Sequence, residues 1–175
     1  MRVLDLGCGN SEAARSLWPD AELVRVDLDE AVKPDVVADV RSLPGDLGAF
    51  DHILASHVLE HIARVEVLKV LIHWSRFLAP DGTLHVVVPD LMWAVEQLAN
   101  DHYAPEVFES IFGSQQGETQ FHKWGFVALT LHDILDRAGY VVDYLRAGPY
   151  LIRWPGRDPV TARQLYARAH VKGKA

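Results

Sequence analysis

Asp5, Gly7, Gly9, Asp27 and Asp39 are the residues whose types and spacing point most directly to chemistry. In Asp5-Leu6-Gly7-Cys8-Gly9-Asn10-Ser11 the two glycines permit a tight turn and let a ligand approach the backbone where a side chain would otherwise stand. Asp27 follows Asp5 by twenty-two residues, near the distance at which an open α/β sheet places a carboxylate to accept from both hydroxyls of a ribose. Leu28 can cover one face of an adenine, Asp39 can accept from its exocyclic amine, and Val40 offers backbone groups to the ring edge. Glu12 stands where a dinucleotide fingerprint needs its third glycine. Its charge opposes a pyrophosphate at the following helix N-terminus, which argues against NAD or FAD. Each carboxylate alone is most simply a cap of a helix or turn. Three of them at successive strand ends favour a cationic, nucleoside-bearing ligand over a phosphate-bearing one.

Such a site needs a sheet whose strands end together, and the chain alternates strand-like and helix-like segments as a doubly wound, mostly parallel sheet does. Strands are expected over Met1–Leu6, Leu23–Val26, Val36–Ala38, Phe50–Ala55, Thr83–Val88 and Val141–Leu145. Between them the periodicity predicts helices over Ser11–Trp18, 64–78, 90–100 and around Leu131, Ile134, Leu135 and Ala138. Val65, Leu68, Ile72, Ser75 and Leu78 are the expected core stripe of the second helix, and Thr130 with Asp133 suggests a capping box for the last. Pro80-Asp81-Gly82 reads as a turn. Residues 101–122, with Pro105, Gly113, Ser114 and Gly117, show no steady period and read as an irregular lid-like insert. Pro149, Pro155, Gly156 and Pro159 mark a connection without a crossover helix. The alternation of Leu165, Ala167, Ala169 and Val171 then predicts an antiparallel last strand in an edge hairpin, for seven strands in all.

The length of 175 residues fits a single domain over 1–175. No uncharged apolar run reaches eighteen residues and Met1-Arg2-Val3-Leu4-Asp5 lacks the pattern of a secretory signal, so no membrane span is expected and the expected location is the cytoplasm. The single cysteine, Cys8, cannot form an internal disulfide. Net charge is −7, yet residues 137–175 carry eight Lys/Arg against two Asp/Glu. Arg146, Arg153, Arg157, Arg163 and Arg168 can meet an anionic partner, but a solvated basic tail balancing an acidic body is the preferred reading and disfavours nucleic acid.

Leu4-Asp5-Leu6-Gly7-Cys8-Gly9-Asn10, Val26-Asp27-Leu28-Asp29, Val37-Ala38-Asp39-Val40, Phe50-Asp51-His52-Ile53 and Leu78-Ala79-Pro80-Asp81-Gly82-Thr83-Leu84 together resemble the successive motifs of class I S-adenosylmethionine (SAM) dependent methyltransferases over residues 1–145. Ser56-His57-Val58-Leu59-Glu60-His61 and His122-Lys123-Trp124-Gly125-Phe126 are similar to a small type-11-like subgroup. The resemblance implies SAM as cofactor. It puts Asp5, Gly7 and Gly9 around the methionine part, Asp27 on the ribose, and Leu28, Asp39 and Val40 on the adenine, with Cys8, Asn10 and Ser56 as further cofactor contacts. Two departures matter: Ser11 replaces a third glycine common in the first motif, and the helices that usually precede the first strand are missing.

Methyl transfer from a sulfonium is an in-line displacement whose main demand is alignment of the acceptor. A hydroxyl or protonated amine also needs a base, and His57 and His122 are the candidates, each weighed against a structural histidine satisfied by local hydrogen bonds. No metal is expected. The alternative is a cation on His57-x-x-Glu60-His61, spaced for one helix face, with His122 as a fourth ligand. Some related methyltransferases with Glu-x-x-Glu-His at this place bind a divalent cation, and His57 in place of the first carboxylate favours a softer ion such as zinc. Trp93, Tyr103, Phe108, Phe112, Phe121 and Trp124 are expected mostly to cover apolar surface, with an acceptor pocket as the alternative. The expected activity is methyl transfer to a small-molecule or saccharide-like (glycan) acceptor. Aminopropyl transfer is disfavoured because no acidic polyamine-binding set follows the fourth strand. A non-catalytic SAM-binding subunit completed by a partner is the alternative, and the missing wall leaves a homodimer open.

Overall fold

Val3, Leu4 and Leu6 are almost wholly buried in strand β1 (Arg2–Leu6), because neighbours flank the strand and both of its faces are covered. A computed structural model describes residues 1–152 and 160–173. After β1 come helix α1 (Ala13–Leu17), β2 (Glu22–Asp27), β3 (Val36–Val37) and β4 (Phe50–Ser56). They are followed by α2 (Arg64–Trp74), β5 (Leu78–Pro89), α3 (Leu91–Ala99), α4 (Pro105–Phe112), α5 (Ala128–Arg137), β6 (Tyr140–Ile152) and β7 (Val160–Val171). The seven strands form one sheet in the order β3-β2-β1-β4-β5-β7-β6. Strands β3, β2, β1, β4 and β5 run parallel, and β7 pairs antiparallel with both β5 and β6. The order reverses at β1, between β2 and β4. A crevice therefore opens beyond the carboxyl ends of β1 and β4, at the expected glycine bend.

The expected antiparallel edge hairpin is present as β6 and β7, with β7 between β5 and β6 and β6 at the edge of the sheet. Other expectations are corrected. Pro80-Asp81-Gly82 continues β5 with a register shift opposite Phe50 and His52 instead of turning, and a side chain on Gly82 would press on the Phe50 carbonyl. In α2 the stripe is misassigned: Val65 is 80% and Ile72 42% exposed, while Val67, Val70, Leu71 and Trp74 are buried. Trp74 settles the rotation, since its ring packs in the core while Nε1 donates to the Val40 carbonyl at 2.8 Å. The Tyr140 hydroxyl donates to the Leu71 carbonyl at 2.9 Å and joins α2 to β6. Thr130 is not the N-cap of α5 but its third residue. Its hydroxyl accepts from the Val127 amide at 3.1 Å, one half of the expected box, because Val127 has no side-chain oxygen to supply the other.

The insert 101–122 is not irregular throughout. Pro105 opens α4, at the position where a missing N–H costs nothing and a fixed φ helps. Among the described residues, no helix is long and apolar enough to cross a membrane. Arg163 of the basic tail pairs with Asp90 at 2.6 Å and Glu96 at 3.0 Å, and Arg168 lies 3.8 Å from Asp143. Arg153, Pro155, Arg157 and Pro159 lie outside the described residues.

Candidate active site

The bend after β1 is left-handed twice, with φ of +62° at Gly7 and +50° at Gly9. A Cβ on Gly7 would come within 2.6 Å of Val58 Cγ2, so glycine is required there for space as well as conformation. Asp27, the last residue of β2, fixes the bend from the side: Oδ2 accepts from the Gly9 amide at 2.8 Å and Oδ1 from the Asp29 amide at 3.0 Å. Arg25 donates to the Gly9 carbonyl at 2.9 Å. Each Asp27 oxygen keeps a second lone pair, so the carboxylate can shape the bend and still accept from a ligand.

Beside this bend lies a cavity of about 620 Å³, within the usual range for a cofactor site. Gly7, Gly9, Asp27, Leu28, Asp39 and Val40 line it, so six of the residues read as cofactor contacts stand together. Asp5, Cys8, Asn10 and Ser56 do not line it. Asp5 and Cys8 are buried behind the bend, and the Cys8 amide is spent on the Val26 carbonyl. Asp39 lines the cavity but is already gripped by Arg41, whose guanidinium donates to both carboxylate oxygens at 2.6–3.0 Å and holds the carboxyl below its ordinary pKa. Arg41 also lines the wall, as do Gln120 and Lys123 from the far side of the insert. Sequence reasoning missed these three because they lie apart from the strand ends that carry the motifs.

Burial raises the Asp5 pKa to about 6, helped by Asp27 and Glu12 and opposed by Arg25. The sign follows from comparison with the unfolded chain. Below about pH 4 the carboxyl is protonated in both states. Between about 4 and 6 only the unfolded chain ionises, and above 6 the folded state carries a constant penalty of about 3 kcal/mol. Asp5→Asn should therefore match the wild type in urea unfolding at pH 4 and exceed it by about 2–3 kcal/mol at pH 7.5. Equal stability at both pH values would show that Asp5 is not strained by burial.

Beyond β4 the chain takes a left-handed step at His57, with φ of +56°, into a single 3-10 turn, Leu59–His61. Residues 57–61 are thus not on one α-helical face, as their spacing suggested. His57 lines the large cavity and also a second one of about 180 Å³, walled by Glu109, Ser110, Ser114, His122 and Tyr150 among others. Its Nε2 donates to Gln164 Oε1 at 3.1 Å and its Nδ1 lies 3.3 Å from Glu60 Oε1. Burial acts to lower the His57 pKa, but the Glu60 carboxylate and the Gln164 hydrogen bond outweigh it and leave the value raised. His122 donates Nδ1–H to the Ser110 carbonyl at 3.1 Å, and its pKa is lowered by burial, with Glu60 opposing. None of the six aromatics singled out in and around the insert lines either cavity, and Trp124 packs on Phe126 with ring centroids 4.4 Å apart. Tyr150, which the sequence did not mark, supplies the aromatic wall of the smaller cavity.

A glycine bend pinned by a strand-end aspartate, at the switch point of a sheet ending in an antiparallel hairpin, defines a Rossmann-like nucleoside-cofactor fold. Residues 1–145 match a family described as a methyltransferase domain, and the chain belongs to that family: it is a class I SAM-dependent methyltransferase. A SAM-dependent methyltransferase from Methanosarcina mazei superposes with a TM-score of 0.69 at 18% identity, covering 96% of this chain and 91% of the other. A SAM-dependent methyltransferase from Clostridium acetobutylicum gives a TM-score of 0.66 at 11% identity, over 98% and 84%. The 1,6-didemethyltoxoflavin-N1-methyltransferase of Burkholderia thailandensis, bound to 1,6-didemethyltoxoflavin and S-adenosylhomocysteine, gives 0.61 at 18%, over 97% and 70%. No curated protein matches the sequence.

Proposed function

We propose that SAM occupies the larger cavity and passes its methyl group to a small, polar, hydroxyl- or amine-bearing acceptor held in the smaller one. The observation that carries this reading is that His57 lines both cavities, so a group bound in one meets a group bound in the other at a single imidazole. Asp27 would take the ribose hydroxyls, and Leu28 and Val40 would flank the adenine, with Asp39 shared between the adenine amine and Arg41. Asp5 would act from behind the bend, its negative charge favouring the sulfonium without touching it. The polar wall of the smaller cavity supports an acceptor with several hydrogen-bonding groups, such as a saccharide or a polar heterocycle. The Burkholderia enzyme, whose named acceptor is methylated on nitrogen, supports the small-molecule class without fixing the compound.

Chemically the acceptor's lone pair displaces the thioether from the methyl carbon and the acceptor's proton must leave. His57 is the proposed base because it lines both cavities: with Nε2–H donated to Gln164, which would fix the ring's orientation, the proton would be taken at Nδ1, beside the Glu60 carboxylate. His122, the other candidate base, meets only the smaller cavity. Labelled SAM incubated with a panel of sugars, polyols and amino- or hydroxy-heterocycles should give transfer to at least one class. Tight SAM binding with no transfer to any would instead favour a non-catalytic SAM-binding subunit.

A further inference from the structure

We infer that Glu60, His61 and His122 form a binding site for a zinc-class divalent cation between the two cavities. Each offers one ligand atom, and the three atoms lie within 4.8 Å of one another. A tetrahedral ion with bonds of about 2.0–2.1 Å holds its ligand atoms about 3.4 Å apart, so small side-chain adjustments close the set.

The carboxylate of Glu60 is the independent sign that something is owed to this place. Glu60 is 1% exposed, and neither of its oxygens accepts a hydrogen bond among the described residues. His57 Nδ1 approaches Oε1 to 3.3 Å, a pairing that is ionic only when the imidazole is protonated. A buried carboxylate with so little compensation is costly, and a cation bound beside it removes the deficit. The two imidazoles are oriented by backbone carbonyls. His61 Nδ1 lies 3.1 Å from the Phe121 carbonyl and His122 Nδ1 3.1 Å from the Ser110 carbonyl. A carbonyl only accepts, so both Nδ1 atoms carry a proton, which in the neutral ring leaves Nε2 as the ligand atom, the arrangement that orients imidazole ligands to metals. The backbone holds the parts together without an ion: the Lys123 and Trp124 amides both donate to the Glu60 carbonyl, at 2.6 and 3.2 Å, bringing the segment after the insert against the 3-10 turn. Two imidazoles and one carboxylate suit zinc and leave a fourth position for a water or a ligand atom. His61 lines the larger cavity and His122 the smaller, so the ion would stand where the two meet.

The experiment uses the full chain, freed of any histidine tag and stripped with a chelator, titrated with Zn²⁺ by calorimetry and with Co²⁺ by visible absorption. One equivalent should bind, the Co²⁺ form should show the intense bands of a tetrahedral site, and SAM binding should still occur in the stripped protein. His61→Ala, His122→Ala and Glu60→Gln should each lose stoichiometric binding, whereas the surface variant His132→Ala should keep it. Circular dichroism and SAM binding report whether each variant folds, and the wild-type titration stands without them. Absence of stoichiometric Zn²⁺ and Co²⁺ binding by the wild type, or unchanged binding by a folded His61→Ala/His122→Ala protein, would overturn the proposal.

Discussion

Replacing Asp27 with alanine is expected to weaken SAM binding by about 100-fold or more. Two losses combine. The proposed hydrogen bonds from the ribose hydroxyls to a carboxylate are charge-assisted and worth about 1.5–3 kcal/mol each, and about 3 kcal/mol in total already corresponds to 100-fold in affinity. The Gly9 and Asp29 amides also lose their acceptor, so the bend that forms the cavity wall is no longer held. Asp27→Asn separates the effects, since its amide oxygen can still accept from one backbone amide while its NH2 group can only donate to the sugar. Calorimetry with SAM and with S-adenosylhomocysteine measures both variants. Unchanged affinity in Asp27→Ala would remove this residue from the cofactor site.

His57→Asn is expected to lower kcat by about 10²- to 10⁴-fold, the usual contribution of a positioned base, while SAM affinity changes by less than about threefold. Asparagine is the informative replacement because it tolerates the left-handed backbone that His57 adopts and its amide can still face Glu60. Stopped turnover with retained SAM binding and an unaltered unfolding midpoint separates a chemical role from a structural one. A variant that turns over as fast as the wild type would leave proton removal to another group.

The glycine-bend half of the candidate site was legible because it depends on local features: a glycine bend after a buried strand, and an acidic residue at the next strand end. Those rules place Gly7, Gly9, Asp27, Leu28, Asp39 and Val40 together, as the structure does. The second helix was harder. Val65, Val67, Leu68, Val70, Leu71, Ile72 and Trp74 make Arg64–Trp74 apolar nearly all round, so periodicity alone could not choose the buried face. Packing chose it, through Trp74 and its bond to Val40. The surroundings of His57 were least legible. Tyr150 and Gln164 come to His57 from the hairpin far along the chain, and His122 reaches Glu60 through a loop bound to the carbonyl of Glu60. Such non-local placement leaves no short-range pattern to read.

The snug fit of Gly7 against Val58 ties the two halves of the crevice into one mechanical unit. Position 58 follows directly on His57, so anything that nudges the histidine turn also presses on the glycine bend, and a sulfonium seated against that bend, as proposed, would be felt at the smaller cavity. In descendants of this chain the two sites should drift jointly: bulk gained at 58 would have to be answered by a retreat of the bend, and bulk gained at 7 would find neither room nor a permissible backbone angle.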